Sequence, residues 1–353
     1  MAHLGLNSTS LNLGDSQPSL TNFTPPLIET NPVSGALYVG YVAILVVVGV
    51  VSNSVIIGVL AYDIRKKCNK IGSEFLMNLA ISDLCVSGLM NPFMIVAATH
   101  GEEFFTVHRW LCTTVAAACL PLCFASFFTI ACIAVNRYIY TCKNHFYRTV
   151  YTSWSTKAIM LGIWLMAAIC GMPNFFWGGY TFDKKKCVCT WDRTANLAYN
   201  ILVVNALLGL TLVVIGVCYY KIFSKIRTAK RNVAQHARTH ASTDIHGTSN
   251  FLKSIKLVRS LIVVYLVFAV CWIPYGVVVT LDFEDQMPFH LHMTVNVLAH
   301  THASVNCAIF FITNRPFRNR CQVLFQKLGA QFKKVDDEDE HQQPLQLESL
   351  FSA

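Results

Sequence analysis

Charged residues are scarce in this chain of 353 residues. Asp, Glu, Lys and Arg together make up 13% of the sequence, whereas hydrophobic residues make up 54%. A soluble globular protein carries about a quarter charged residues, and disordered or nucleic-acid-binding chains are rich in charge. The deficit therefore excludes a disordered chain and a nucleic-acid-binding protein, and it argues against a string of soluble domains.

Long stretches contain no charged side chain at all, as in residues 111–135 and 261–281. A helix of about 20 apolar residues spans a bilayer, whereas the strands of a membrane β-barrel alternate over about ten residues. The sequence therefore predicts an all-α membrane protein with a seven-transmembrane helix bundle. The predicted spans are residues 36–62, 73–98, 109–141, 157–178, 196–227, 255–282 and 292–313.

The basic residues are unevenly distributed between the two sides of this bundle. Of the 28 Lys and Arg residues, 23 fall in the loops and the tail of one side. Positive residues concentrate on the cytoplasmic side, so we expect the N-terminus outside and the C-terminus inside. Glycosylation sequons at Asn7 and Asn22 favour the same orientation. The net charge of +9 is then explained by anionic lipids and protein partners at the cytoplasmic face, without nucleic acid.

Neither a secretory signal nor an internal repeat is visible. Residues 1–35 lack a basic start and an apolar core, so the first span must serve as its own insertion signal. The absence of repeats argues against transporters built from duplicated halves. We expect an extracellular tail (1–35), the bundle (36–313), a short amphipathic helix (314–330) and an acidic cytoplasmic tail (331–353).

Polar residues inside the apolar spans form an ordered set of motifs. Such residues are costly in lipid and usually functional. The set comprises Asn53, Leu79-Ala80-Ile81-Ser82-Asp83, Cys112, Asn136-Arg137-Tyr138, Trp164 with Pro173, Cys271-Trp272-Ile273-Pro274 and Asn306-Cys307-Ala308-Ile309-Phe310. Over residues 36–330 this set resembles the rhodopsin-like (class A) G-protein-coupled receptors.

Two groups within that family show a narrower resemblance. Asn136-Arg137-Tyr138, Met172-Pro173-Asn174 and Cys189-Thr190-Trp191 are typical of melatonin receptors. Trp191-Asp192-Arg193-Thr194 and Thr313-Asn314-Arg315 look more like the medium-chain fatty-acid receptor group. The resemblance therefore leaves two ligand classes open, an acidic lipid and a melatonin-like indole.

The resemblance implies a multi-pass plasma-membrane receptor that binds an extracellular small-molecule ligand and activates a heterotrimeric G protein, expected to be of the inhibitory type. Arrestin and membrane lipids are further expected partners. The coupling residues would be Asn136, Arg137 and Tyr138. Because Asn136 replaces the usual acid and Ser254 stands at the facing position of the sixth span, we expect a weakly restrained Arg137 and basal signalling. The alternative is an Arg137 that only reaches lipid phosphates.

The resemblance also implies a disulfide, a switch and an ion site. The disulfide would join Cys112 to Cys189, with Cys187 as the rival partner. The switch residues would be Phe268, Trp272, Pro274, Tyr219, Asn306 and Phe310. Asp83, Ser126 and Asn306 would form a sodium site, although His302 stands where an Asn often helps. The alternative is a buried Asp83 that is protonated or hydrogen-bonded. No other cofactor is expected, and Cys321 is a candidate for palmitoylation.

Two residue types that are missing from the expected positions restrict the chemical class of the ligand. Cys119 stands where amine receptors carry Asp, and no Lys occurs between Lys256 and Lys327, so neither an amine counter-ion nor a retinal Schiff base is available. Arg193 suits a carboxylate, because a guanidinium grips one in a bidentate manner. The candidate ligand-binding residues are Cys119, Cys123, Asn174, Trp191, Arg193, Tyr275, Asn296 and His300.

Four histidines raise the alternative of a seven-span zinc hydrolase. His290, His292, His300 and His302 fall in or near the last span. Zinc ligands on a helix favour a spacing of four residues, whereas His300 and His302 are two apart and diverge around the helix. The chain is therefore not expected to be an enzyme.

Overall fold

The computed structural model describes residues 23–66, 72–177, 179–239, 245–315, 317–327 and 329–330. In this part of the chain, seven helices are long and apolar enough to cross a membrane, which confirms the predicted seven-span bundle. They are Pro32–Arg65, Ser73–Val107, Arg109–Cys142, Ser153–Phe175, Leu197–Ala229, Ile262–Leu281 and Phe289–Thr313, named the first to the seventh span below. Asn7, Asn22 and the acidic tail lie outside the described residues, as does the side chain of Ser254.

The second span is interrupted twice. A π-helix, Val86–Met90, separates the α-helices Ser73–Cys85 and Asn91–Val107. Pro92 follows directly and has no backbone N–H to donate. Near the end of the span Gly101 adopts φ 69°, a left-handed conformation that suits glycine. The backbone of the preceding segment also approaches here, since a Cβ on Gly101 would stand 2.8 Å from the carbonyl oxygen of Thr24.

The fifth and sixth spans each contain an irregular feature, a π-helix in the fifth and a proline in the sixth. In the fifth, a π-helix, Asn200–Ala206, lies between the short α-helix Leu197–Tyr199 and the long α-helix Leu207–Thr239. The side chain of Asn205 donates to the carbonyl of Asn200 inside this π-helix, at 3.0 Å. The sixth span belongs to the α-helix Ile245–Leu281, which contains Pro274. Prolines and π-bulges are usual causes of helix bends.

The third span lies at the centre of the bundle. It packs against the second, fourth and fifth spans, and the seventh span packs against the first and the sixth. A short helix, Leu27–Thr30, precedes the first span, and another, Asn144–Val150, follows the third. The arrangement leaves the inward faces of the third, sixth and seventh spans directed at one another, and these faces carry the site described below.

A β-hairpin follows the fourth span and was not predicted from the sequence. Strands β1, Tyr180–Asp183, and β2, Val188–Trp191, pair antiparallel, with Tyr180 opposite Trp191 and Phe182 opposite Cys189. A disulfide joins Cys189 to Cys112 at the start of the third span, which confirms the predicted pair. The rival Cys187 is a buried free thiol. The hairpin is thus fixed over one end of the bundle, called the hairpin end below.

A further helix covers residues 317–327, within the predicted amphipathic segment. The side chain of Asn314 accepts a hydrogen bond from the backbone N–H of Phe317 at 3.2 Å, as a helix N-cap does. Phe317 packs against Phe310, with ring centroids 5.2 Å apart. Cys321 is only 2% exposed in the same cluster. The thiol therefore packs against the protein in this structure, and its expected palmitoylation stays a prediction.

Candidate functional site

A cavity lies beneath the hairpin, between the second, third, sixth and seventh spans. It has about 790 Å³ of empty volume, part of which is open to solvent. Its walls are mostly apolar, with a few polar groups directed inward, as in small-molecule sites generally. Six of the eight predicted ligand-binding residues line it: Cys119, Cys123, Trp191, Tyr275, Asn296 and His300.

Asn174, the first of the two exceptions, is committed to a hydrogen-bond network behind the hairpin. Its amide donates to the hydroxyl of Tyr199 at 2.7 Å and to the carbonyl of Gly171 at 3.2 Å. The Tyr199 hydroxyl in turn donates to the carbonyl of Cys170 at 2.6 Å. Asn174 is 3% exposed and does not line the cavity. Both amide protons of Asn174 therefore already have acceptors within the protein, and its expected contact with a ligand stays a prediction.

Arg193, the second exception, links the hairpin to the turn between the sixth and seventh spans. Its guanidinium donates to the carbonyl of Asp282 and to the carboxylate of Asp285. It also lies 3.4 Å from the Asp282 carboxylate and 3.9 Å from that of Asp183. The side chain does not line the cavity. The protein's own carboxylates thus engage the guanidinium, and the expected contact of Arg193 with a ligand carboxylate stays a prediction.

Lys186, which was not among the predicted ligand-binding residues, is a buried cation behind the cavity wall: it does not line the cavity itself, but its ring neighbours Trp191 and Tyr275 do. Its side chain is 0% exposed, and its ammonium lies 3.0 Å from Asp183 and 5.6 Å and 5.7 Å from the ring centroids of Trp191 and Tyr275. Burial lowers the pKa of Lys186, but the Asp183 carboxylate outweighs it and raises the pKa above its usual range. Burial likewise raises the pKa of Asp183, whereas Lys186 and Arg193 bring it below its usual range.

The ammonium of Lys186 keeps unused hydrogen-bonding capacity. It has three N–H donors, and one carboxylate oxygen lies within ion-pair distance in the described part of the chain. Two other buried donors line the cavity without a partner among the described residues, Nε1 of Trp272 and Nδ2 of Asn296. The cavity and its rim therefore favour a ligand that supplies acceptors.

Three side chains from three spans meet on one wall of the cavity. The sulfur of Cys119 lies 3.9 Å from Nε2 of His300, and Nδ1 of His300 lies 2.8 Å from Oδ1 of Asn91. Asn91 and His300 are both buried. Cys119 and His300 were each predicted to bind a ligand, but their contact with each other depends on how the third and seventh spans pack.

An aromatic cluster forms the floor of the cavity and connects it to Asp83. Phe127, absent from the predicted switch, lies 4.5 Å from Trp272 and 5.0 Å from Phe268 between ring centroids. His302 lies 5.3 Å from Trp272, again between centroids, and its Nε2 is 3.9 Å from Asp83. A continuous set of contacts therefore runs from the cavity floor to the buried carboxylate.

Asp83 has two of the predicted ion-site residues as partners. Ser126 donates to one carboxylate oxygen at 2.7 Å, and Asn306 donates to the other at 3.2 Å. Oδ1 of Asn306 is buried and has no hydrogen-bond partner in the described residues. Carboxylate, hydroxyl and amide oxygens suit a hard cation, so the donor set fits the predicted sodium ion.

The opposite end of the bundle contains the Asn-Arg-Tyr motif. In the part of the chain that the structure describes, no Asp or Glu pairs with Arg137. The amide of Asn136 donates to the hydroxyl of Tyr147 at 3.1 Å, and Lys221 lies 5.6 Å from the ring centroid of Tyr138. Tyr219 is buried nearby in a small apolar cavity that Asn306 and Phe310 also line.

The histidines do not form a metal site. Among the described residues, no three His, Cys, Asp or Glu side chains are placed to hold a metal ion. His292 instead contacts the carboxylate of Asp282 at 2.6 Å, and His302 donates from Nδ1 to the carbonyl of Ala299 at 2.6 Å. His292 and His302 are thus engaged by different partners.

Comparison with known families gives one match over most of the chain. Residues 52–310 match the family described as "7 transmembrane receptor (rhodopsin family)". This range includes every span except the start of the first and the end of the seventh.

Individual proteins agree with that match. The chain is 28% identical over 316 residues to the human melatonin receptor type 1B, covering 86% of this chain and 80% of the relative. It is 26% identical over 304 residues to the dog substance-K receptor, covering 82% and 75%. Squid rhodopsin superimposes with a TM-score of 0.67 at 18% identity, covering 83% of this chain and 87% of rhodopsin. Relatives with different ligands are thus about equally similar in sequence.

Proposed function

This chain belongs to the rhodopsin family of seven-transmembrane receptors, and from that premise we propose how it receives and transmits a signal. Membership makes it a G-protein-coupled receptor, a multi-pass protein of the plasma membrane and not an enzyme. We propose that the hairpin end faces the outside, that a small molecule binds in the cavity beneath it, and that the Arg137 end activates a heterotrimeric G protein of the inhibitory type. The distribution of Lys and Arg supports this orientation.

The aromatic floor of the cavity supports the proposed route of transmission. A ligand shifts a receptor only by binding one arrangement better than another. Trp272 lines the cavity and also contacts Phe127, Phe268 and His302. A ligand that favours a second packing of this cluster therefore moves the sixth span, which contains Pro274.

Basal activity is part of the proposal, and it rests on Arg137, which has no acidic partner among the described residues. An acid next to this arginine would hold it in the resting bundle, but the neighbouring residue is Asn136, which contacts Tyr147 instead. A guanidinium keeps its charge and offers five donors. Arg137 therefore needs little energy to leave its resting position and engage a G-protein helix.

The test is guanine-nucleotide exchange on a panel of purified G proteins, without ligand. Membranes carrying the wild type are compared with membranes carrying Arg137→Ala and, as a matched control, Arg109→Ala at the hairpin end of the same span. We expect exchange on inhibitory-type G proteins with the wild type and with Arg109→Ala, and none with Arg137→Ala. Silence from a well-expressed wild type would contradict the basal activity, and exchange on another G-protein class would contradict the inhibitory coupling.

For the ligand, we propose an acidic amphiphile whose carboxylate binds near Lys186. The apolar walls suit a hydrocarbon chain, and the buried ammonium next to Trp191 and Tyr275 suits an anion. A melatonin-like indole is the second candidate, since the relatives include melatonin receptors. It is the weaker one, because Asn174 is engaged by Tyr199 and Gly171.

The two ligand candidates are distinguished by a charge-neutral substitution. Lys186→Gln should abolish the response to medium-chain fatty acids, while Lys184→Gln, at a lysine whose side chain is 58% exposed, should leave it intact. The methyl esters of the same acids should not activate the wild type. A response to melatonin that survives Lys186→Gln, with none to the acids, would favour the indole.

We also propose sodium as an allosteric ion at Asp83, together with Ser126 and Asn306. The support is the set of oxygen ligands, including the unpartnered Oδ1 of Asn306. Arrestin recruitment stays a prediction, because the acidic run 336–340 lies outside the described residues. Truncation after Lys334 should weaken recruitment if that run contributes, and unchanged recruitment would exclude it.

A further inference from the structure

The contact between Cys119 and His300 has the geometry of a nucleophile beside its base. Oδ1 of Asn91 can only accept a hydrogen bond, so the proton of the neutral imidazole lies on Nδ1 of His300. The lone pair of Nε2 then faces the sulfur of Cys119, 3.9 Å away. In unliganded sites such contacts are often longer than in the reacting complex.

We propose that Cys119 is a covalent capture site for amphiphiles that carry an α,β-unsaturated carbonyl. His300 acts as the base, and Asn91 is a positioning residue that fixes the imidazole tautomer. The site lies in the proposed ligand cavity, so the inference specifies a further ligand class for that cavity.

Two hydrogen-bond donors without a partner among the described residues indicate why the captured compound should carry a carbonyl group. Nδ2 of Asn296 and Nε1 of Trp272 are buried, line the same cavity and have no acceptor in the described part of the chain. Asn296 lies four residues before His300, on the same face of the seventh span. A carbonyl oxygen that accepts hydrogen bonds from these donors is stabilised as negative charge develops on it.

The reaction is an addition in which every atom is retained. Nε2 of His300 takes the thiol proton, and the thiolate sulfur forms a bond to the β-carbon of the electrophile. The electrons of the carbon–carbon double bond move toward the carbonyl and give an enolate. The imidazolium then returns its proton to the α-carbon. The net change is addition of S–H across the double bond, without an oxidant or a leaving group.

The other cysteines provide internal comparisons. Cys123 lines the same cavity one turn along the helix but has no imidazole contact among the described residues. Cys271 is buried in the sixth span outside the cavity wall, and Cys112 and Cys189 are oxidised. Cys119 is partly exposed whereas Cys123 is buried, so selectivity for Cys119 must be accompanied by a loss of rate in His300→Gln before it reports on the pairing with His300.

The experiment uses the purified full-length receptor in nanodiscs of neutral lipid. It is incubated with trans-3-nonen-2-one, an amphiphilic enone, or with 2-nonanone, the matched ketone without the double bond. Intact mass measures the number of adducts, and peptide mapping locates them. We expect one adduct at Cys119 with the enone, none with the saturated ketone, none in Cys119→Ser, and an unchanged adduct in Cys271→Ser.

The role of His300 as the base is tested by measuring the rate of adduct formation at Cys119. His300→Gln should slow the reaction at neutral pH on the order of 100-fold, the usual contribution of a general base. The deficit should shrink as the pH approaches about 8.5, where a thiol ionises without help. Asn91→Leu should show the same pH profile with a smaller loss, which a purely structural role would not produce.

Two results would overturn the inference: adducts spread over several cysteines, or an unchanged rate at Cys119 in His300→Gln. If neither His300→Gln nor Asn91→Leu folds, the wild type decides, because equal rates at Cys119 and Cys123 would also overturn it. The mass measurement needs no G protein. A failure of covalent capture is thus distinguishable from a failure of the proposed signalling function.

Discussion

The guanidinium of Arg193 in the hairpin lies 3.4 Å from the carboxylate of Asp282, although 89 residues separate the two in the chain. Both side chains are buried, and Arg193 also donates to the backbone carbonyl of Asp282. Lys185 adds a second contact to the same carboxylate at 3.5 Å. The hairpin is therefore tied to the turn before the seventh span by charge, as the disulfide ties it to the third span.

Arg193→Gln should destabilise the receptor without a selective loss of the response to fatty acids. Removing one partner of a buried ion pair costs about 3–5 kcal/mol, because the other charge stays buried without compensation. We expect a lower thermal unfolding temperature and lower surface expression. Lys184→Gln, at an exposed neighbouring position, is the control and should leave stability unchanged. An Arg193→Gln receptor with wild-type stability and a selective loss of fatty-acid response would mean that Arg193 binds the ligand.

Asp282 should make the stability of the receptor depend on acidic pH. Burial raises the pKa of Asp282, but hydrogen bonds from the backbone N–H of Met287 and from His292 outweigh it and lower the pKa to about 2. An unfolded Asp has a pKa of about 3.9, so the stabilisation is present above about pH 4 and is lost as the pH falls toward 2. Lys185, Arg193 and Asp285 are the other charged groups at this carboxylate.

Thermal unfolding of the purified receptor across that pH range measures the effect. The wild type should lose stability steadily as the pH decreases. Asp282→Asn should start less stable at neutral pH and show a flatter dependence, because it has no carboxylate to protonate. A variant that loses stability as steeply as the wild type would assign the dependence to other groups.

The spans could be predicted because a bilayer imposes their length and composition on each segment separately. The hairpin could not, because its strands have four residues each and are held by the disulfide and by the distant residues Asp282 and Asp285. The cavity-lining positions followed from the family resemblance, which places residues around helices. Asn174 and Arg193 were expected at the same site but do not line the cavity, because the resemblance does not include their partners within the protein.

The burial of Lys186 could not be predicted from the neighbouring sequence. In the run Lys184-Lys185-Lys186 the three side chains are 58%, 20% and 0% exposed. Nothing in three identical neighbours separates a buried lysine from a solvated one. The distinction arises from the turn of the hairpin, which directs one of them toward Asp183, Trp191 and Tyr275.

Cys189 should be required for surface expression of the receptor, whereas Cys187 should not. Cys189→Ser removes the bond to Cys112, and losing a native disulfide costs about 2–5 kcal/mol. We expect surface expression to fall sharply. Cys187→Ser should retain it, since this thiol is free. Expression lost equally in both variants would indicate that Cys187 also pairs during folding.

The sodium proposal predicts a specific salt effect. Replacing choline by sodium at constant ionic strength should lower basal nucleotide exchange of the wild type, because the ion would bind the resting bundle. Asp83→Asn should remove the difference, since it takes away the charge that Ser126 and Asn306 surround. His302→Asn, which supplies another oxygen ligand next to Asp83, should strengthen the effect. A sodium response that persists in Asp83→Asn would place the ion elsewhere.

Restoring the missing acid should silence the receptor without ligand. In Asn136→Asp a carboxylate replaces the amide that donates to Tyr147, and it would accept from Tyr147 while attracting the adjacent Arg137. A charge-assisted pair is worth about twice a neutral hydrogen bond, so the resting position of Arg137 becomes more favourable. We expect basal exchange to drop several-fold, while a saturating ligand still activates. Tyr147→Phe is the control that removes the hydroxyl and adds no acid. If Asn136→Asp and Tyr147→Phe reduced exchange equally, the contact with Tyr147 and not the missing acid would set the basal activity.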